Sequence, residues 1–407
     1  MTSQQSGVIA PGDDPLLAFR AEFPILERTT YLVSNSLGAM PSGVPDRLAE
    51  YAAEWNRWGV KAWARRWWGM PIELGDTIAP LIGAGPGEVA MVPNVTTALT
   101  AVVSALDYTR PRDAIVTTAL DFPSVRYVLA QMGPRLGARI VVVPSEDGVG
   151  IDTQRLLEAI DERTRLVAIS HVLFRSACIM DVEAICRRAR AVGARVALDA
   201  FHSVGVIPVD VKQLGVDFLA GGVLKWLCGG PGGCFLYAAP AVASEARPAF
   251  TGWQAHAHPF AFDEEMDYAA GAWRWLNGTP SIPALFAAIE GPRIVRQAGI
   301  ERIRAKSVRQ TSRLIELADG HGFAVAAPRG AERRGGTVAL DVPHGYEVSR
   351  FLLDRDVIVD YRPRAGIRIA PHFYTEDAEL ERVIGLIAEA LESGAWRRYE
   401  GADSVVT

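Results

Sequence analysis

The chain has 407 residues, 49% hydrophobic and 22% charged, the profile of a globular protein with room for a large core. A formal net charge of −5 gives no general electrostatic case for nucleic-acid binding. No apolar run approaches the ~20 residues a membrane helix needs, and the first fourteen residues lack the pattern of a signal peptide. Four cysteines without zinc-ligand spacing read as reduced thiols in a cytoplasmic protein.

Residues 1–40 are expected to form an N-terminal arm, loose over 1–20. Apolar positions at helical spacing (Val44, Leu48, Tyr51, Ala52, Trp55) predict a helix over 44–58. Five tryptophans follow from Trp55 to Trp68 and are read as packing residues rather than a substrate cage. From about 95 to 237 helical stretches (97–107, 123–133, 182–192) alternate with short apolar runs at 114–118, 139–143, 165–170, 195–198, 217–220 and 233–237. Runs this apolar suit strands covered on both faces. Their alternation with helices predicts an α/β fold with a mostly parallel sheet. Ligands in such sheets bind at the carboxyl ends of strands.

A helical stretch over 285–320, with a linker near 283–300, leads into a smaller α+β region. Its strands are expected at 322–326, 336–341, 357–361 and 366–370, and its helices at 346–353 and 376–394. The division is therefore 1–40, a large domain over 41–290 and a small C-terminal domain over 291–407.

Only four residues are lysines: Lys61, Lys212, Lys225 and Lys306. Lys225 has no charged residue within five positions and is bordered by glycines. Burial there would be costly for an ammonium and would favour a nucleophilic neutral amine. The bland alternative is a lysine that snorkels from a strand end. Upstream, the apolar run from Arg195 ends in Asp199, with His202 just beyond. A carboxylate there could hold a proton on a pyridine nitrogen, or simply cap a turn. Thr96 and Thr97 open a helical pattern, an arrangement suited to a phosphate but equally a plain helix cap. Arg368 interrupts an apolar strand and needs an anionic partner, either a substrate or a protein carboxylate.

Together these pieces resemble fold-type I pyridoxal-phosphate enzymes of the class V aminotransferase group, most of all kynureninase. The resemblance spans about Tyr31 to Ile387. It rests on Asn35 to Gly38, Asp121 to Ser124, Asp199 with His202 and Gly205, Gly215 to Phe218, Lys225 to Gly232, Gly252-Trp253, Gly278 to Pro280, and Gly366 to Pro371. It implies a seven-stranded-type sheet and pyridoxal 5'-phosphate joined to Lys225 as a Schiff base. By the same resemblance Asp199 pairs with the ring nitrogen, and His202 lies near the ring hydroxyl or phosphate. Phe122 stacks on the ring, and Thr96, Thr97, Trp253 and Thr279 reach the phosphate, Thr279 across a homodimer interface. Arg368 clamps the carboxylate of an amino-acid substrate, with Asn35 and Ser36 lining that site.

The implied reaction is hydrolytic Cβ–Cγ cleavage of kynurenine or a relative, releasing L-alanine. Two departures keep other outcomes open. Leu224 stands where kynureninases carry Tyr, and the turn from Asn94 to Ala98 is closer to isopenicillin N epimerases. Elimination of a sulfur leaving group, transamination and epimerisation share the first steps. A non-catalytic scaffold is disfavoured by the presence of both Lys225 and Asp199. A nicotinamide-binding fold is disfavoured because Gly83 to Glu88 lacks the required glycine spacing.

Overall fold

The computed structural model describes residues 14–401. Residues 1–13 of the expected arm lie outside them. A seven-stranded sheet forms the centre, in the order Val89–Val92, Cys234–Ala238, Phe218–Gly222, Arg195–Asp199, Thr164–Ser170, Ala114–Thr118, Arg139–Val143. Only Cys234–Ala238 runs against its neighbours; the other pairings are parallel. Ala114–Thr118 and Cys234–Ala238 are buried along their whole length, as their unbroken apolar character requires. The edge strand Arg139–Val143 is largely open to solvent.

Helices Val95–Ser104, Pro123–Met132 and Val182–Ala191 cover the sheet close to their expected positions. Val89–Val92 was not anticipated. The helical stretch expected over 285–320 is broken into three helices, and the linker placed near 283–300 falls on the first two. Ile282–Ala287 and Glu290–Ala298 fill it, and Gly299, in the left-handed region at φ +83°, turns the chain into Ile300–Gly320. That last helix serves both cores. Ile303 packs into the main core, whereas Leu314, Ile315 and Ala318 belong to the smaller one.

The smaller region is a four-stranded antiparallel sheet in the order Asp360–Arg362, Gly366–Ile369, Val338–Asp341, Ala324–Val325. Helices Gly345–Leu353 and Asp377–Ser393 pack around the same apolar core. The described part of the N-terminal segment is not loose. Leu16, Phe23 and Leu26 are buried, and Thr30–Tyr31 pairs in parallel with Val357–Ile358. Arg20 bridges to Glu379 at 2.9 Å, and Asp14 to the buried Lys306 at 2.8 Å. The reason is physical: an apolar run this dense stays ordered when it can bury itself against the C-terminal region.

Three of the seven histidines, His171, His202 and His372, are buried, and two of them lie outside the Lys225 site. Burial pushes His171 down to about 4 and His372 down to about 3. His372 Nε2 donates to the Trp226 carbonyl at 2.8 Å. The unfolded chain titrates these groups near ~6.5, so below that pH it binds more protons than the fold does. Stability is therefore full above the unfolded value and falls as pH drops toward the folded values. The melting temperature should fall between about pH 7 and 5, and His372→Gln should flatten that fall. An unchanged slope in the variant would contradict this assignment.

Candidate active site

Lys225 lies in the turn directly after strand Phe218–Gly222, at its carboxyl end. Asp199 ends the adjacent strand and pairs in register with Ala220. The Asp199 charge acts on Lys225 without a direct ion pair between the two side chains. Lys225 Nζ instead shares a hydrogen bond with His202 Nε2 at 2.7 Å. The Phe122 and Phe201 rings each lie 5.5 Å from Nζ.

The electrostatics follow from burial. Desolvation pushes the Lys225 amine down from the lysine range; the Asp199 charge opposes this and the Arg368 charge adds to it. Burial pushes the Asp199 carboxyl up, against the Phe201 N–H at 3.0 Å and the Lys225 charge. His202 is held well below its ordinary value by burial, then by the Lys225 and Arg368 charges. The result is a nucleophilic amine resting on a neutral imidazole beside an acid.

Asp121 aims this wall of the site. Its carboxylate accepts from Thr117 Oγ1 at 2.9 Å, Thr118 N at 2.7 Å, Thr118 Oγ1 at 2.8 Å and Ser170 N at 2.6 Å. It thereby fixes the strand end from which Phe122 projects. The motif containing it was legible, but its role was not; an Asp closing an apolar run just before Phe-Pro was the available signal.

Thr96 and Thr97 open helix Val95–Ser104. The Asn94 side chain caps it by accepting the Thr97 N–H at 3.0 Å. Val95 and Asp199 line one small cavity, so this helix start adjoins the acid. Gly38 N donates to the Leu224 carbonyl at 2.8 Å, which brings the turn carrying Asn35 and Ser36 against the Lys225 loop. A Cβ on Gly38 would stand 2.2 Å from the Lys225 carbonyl, so only glycine permits that approach. Asn35 is fully buried, yet neither Nδ2 nor Oδ1 has a partner. An unpaired buried carboxamide is costly and marks a place for a polar ligand group.

Within the fold Arg368 has a carboxylate partner, Asp360, the protein alternative that its sequence context left open. Nε donates to Asp360 Oδ1 at 2.7 Å, Nη2 contacts Oδ2, and Nη1 donates to the Phe174 carbonyl at 2.6 Å. The fork made by Nε and Nη2 is thus filled, and only the Nη1–Nη2 edge is left for a ligand. Asp360 is fully buried, also receives Arg362 at 3.2 Å, and was missed from the sequence.

Trp253 and Thr279 do not reach Lys225 within this chain. Their loops are joined by Gln254 N donating to the Asn277 carbonyl at 3.0 Å. Trp253 is exposed and stacks among Trp68, Phe260 and Phe262. Within the tryptophan run, Trp67 is buried with its Nε1 donating to Glu54 at 2.8 Å, the packing role expected for it.

Among the described residues no cluster of His, Cys, Asp and Glu could hold a metal ion. None of their helices is long and apolar enough to cross a membrane. The donor set fits pyridoxal 5'-phosphate: a proton-poor amine, an acid on the neighbouring strand, an aromatic wall and a capped helix start, beside an orphaned carboxamide.

Comparison with known proteins agrees. The family model for class V aminotransferases matches residues 30–373. A kynureninase of Pseudomonas fluorescens is 31% identical, over 98% of both chains. A kynureninase of Burkholderia pseudomallei is 29% identical, over 99% of both. Among solved structures, the apo cysteine desulfurase of Thermococcus onnurineus superposes with a TM-score of 0.82 at 23% identity, covering 96% of this chain and 100% of that one. The cystine C–S lyase C-DES gives 0.82 at 20% identity, covering 90% and 99%. The chain belongs to the class V aminotransferase family of fold-type I, pyridoxal-phosphate-dependent enzymes, and is kynureninase-like within it.

Proposed function

We propose that the protein hydrolyses the Cβ–Cγ bond of kynurenine or a related L-amino acid, giving L-alanine and the acid of the departing acyl group. The observation that carries this reading is the proton-poor Lys225 amine set beside Asp199 at adjoining strand ends, in a chain similar to kynureninases over nearly its full length. Bound pyridoxal 5'-phosphate supplies an aldehyde that joins amines covalently and an electron-poor ring that stabilises negative charge at Cα.

The chain's own residues do the rest. Lys225 would anchor the cofactor and would take the Cα proton of the bound amino acid. Asp199 would hold the proton on the ring nitrogen. His202, hydrogen-bonded to the lysine, would keep it aimed, and Phe122 would wall one ring face. Thr96, Thr97 and the helix start receive the phosphate. Asn35, Ser36 and the open edge of Arg368 take the substrate α-carboxylate, with Asp360 holding Arg368 in place. Trp253 and Thr279 act on the phosphate of a second copy in a homodimer, which would cover the exposed aromatic cluster around Trp253.

The rival outcome is β-elimination of a sulfur leaving group. Leu224 favours it, because that side chain offers no phenolic proton donor beside Lys225.

Borohydride treatment of the holoenzyme should place a cofactor adduct on Lys225 by peptide mapping. Lys225→Ala should lose the adduct and at least about a hundredfold in turnover. Kynurenine should yield anthranilate and alanine. If only cysteine conjugates react, giving pyruvate and a thiol, elimination is the reaction and hydrolysis is wrong.

A second expectation concerns Asp360. Its removal leaves Arg368 and Arg362 facing each other without their shared acid. Asp360→Ala should cost about 3–5 kcal/mol in denaturant unfolding. It should also raise KM for the amino acid more than it lowers kcat. A loss within experimental error would show that the pair does not hold the site together.

A further inference from the structure

Beyond the lysine, two rings and three arginines follow one another along the protein surface of the site. Phe174 meets Phe122 edge to face at 5.3 Å, so the aromatic wall continues outward from Lys225. Arg175 lies over the far side of that wall, its guanidinium carbon 5.2 Å from the Phe174 ring centre. Arg126 stands one helical turn after Phe122, and its Nη1 donates to the Ala119 carbonyl at 3.2 Å. Arg364 sits in the turn between strands Asp360–Arg362 and Gly366–Ile369, held in the left-handed region at φ +64°. The second of those strands carries Arg368, which is bonded to the Phe174 carbonyl. Three separate segments therefore deliver a guanidinium to one rim.

The charges face one another. Burial, then repulsion from Arg364 and Arg126, pulls the Arg175 guanidinium down from its ordinary value. None of the three forms an ion pair with a carboxylate among the described residues. The nearby acids point inward: Asp360 serves Arg368 and Arg362, and Asp121 serves the strand ends. Like charges gathered without a counter-charge cost stability, and an incoming anion relieves that cost.

We propose that Arg126, Arg175 and Arg364 form an anion-binding rim that, among L-amino acids related to kynurenine, favours those whose long side chain ends in an acidic group, which kynurenine itself lacks. The ring wall lies between this rim and Lys225, so the acidic group belongs to the far end of the side chain and not to the α-carboxylate. An aromatic side chain with an acidic substituent fits both the Phe122–Phe174 wall and the rim. This rests on the reading of the Lys225 cleft as the substrate site.

The test uses two nearly isosteric probes differing in charge, S-(4-carboxybenzyl)-L-cysteine and S-(4-carbamoylbenzyl)-L-cysteine. Binding to the holoenzyme is read from the change in the visible absorption of the bound cofactor. The acid should bind at least about tenfold more tightly, as one charge-assisted contact allows. That preference should shrink as salt is raised. It should fall to near unity in the triple variant R126Q/R175Q/R364Q and survive in part in the corresponding triple lysine variant. The salt series on the unaltered enzyme decides the matter even if the variants misfold. Equal affinities, or a preference indifferent to salt, overturn the rim while a visible cofactor band leaves the site reading standing. Absence of that band overturns both.

Discussion

The structure depends on keeping one amine out of water without leaving it unpaired. A desolvated ammonium is expensive, and the fold answers by giving Lys225 a neutral hydrogen-bond partner, His202, and a nearby acid, Asp199. Each of these positions is set by backbone. Asp199 closes a central parallel strand, its carbonyl accepting the His171 N–H at 2.8 Å. Lys225 follows the neighbouring strand within a few residues. Gly222 permits the turn, since a Cβ there would meet the Phe201 ring at 2.1 Å and Leu224 at 2.8 Å. The chemistry at the strand ends is thus a consequence of sheet register, not of any single side chain.

The other half of the cleft comes from the two ends of the chain. Thr30–Tyr31 pairs with Val357–Ile358, and Val33 bridges to Ala370, so Asn35 and Ser36 are carried by the same small region as Arg368. Arg368 faces Asp360 directly across its hairpin, and that buried pair stiffens the strand which meets the Phe174 carbonyl. The groups proposed to face the substrate therefore ride on the N-terminal segment and the C-terminal sheet, while those proposed to face the cofactor ride mainly on the central sheet. A long helix, Ile300–Gly320, belongs to both cores and sets their relation.

Much of this was legible. Six of the seven central strands announce themselves because strands buried on both faces lose polar alternation. Lys225 and Asp199 stand out because charge is rare in such surroundings. Val89–Val92 escaped because a four-residue apolar run before Pro93 carries too little periodicity to be told from a loop. The helical stretch expected over 285–320 is interrupted, and Pro292 sits in the first turn of Glu290–Ala298, where proline is tolerated. The partner of Arg368 was left open between substrate and protein, and only the hairpin register decides it. The order in the N-terminal segment depends on contacts more than 300 residues away, which no local pattern encodes.

The most direct measurement is the titration of the Lys225 amine itself. In cofactor-free protein, its acylation rate against pH can be followed by mass spectrometry of the Lys225 peptide, with exposed Lys61 as the internal reference. The account predicts a half-maximal rate at a pH clearly below the ordinary lysine range, shifting further down when His202 is replaced. A Lys225 that titrates in the ordinary lysine range would contradict it.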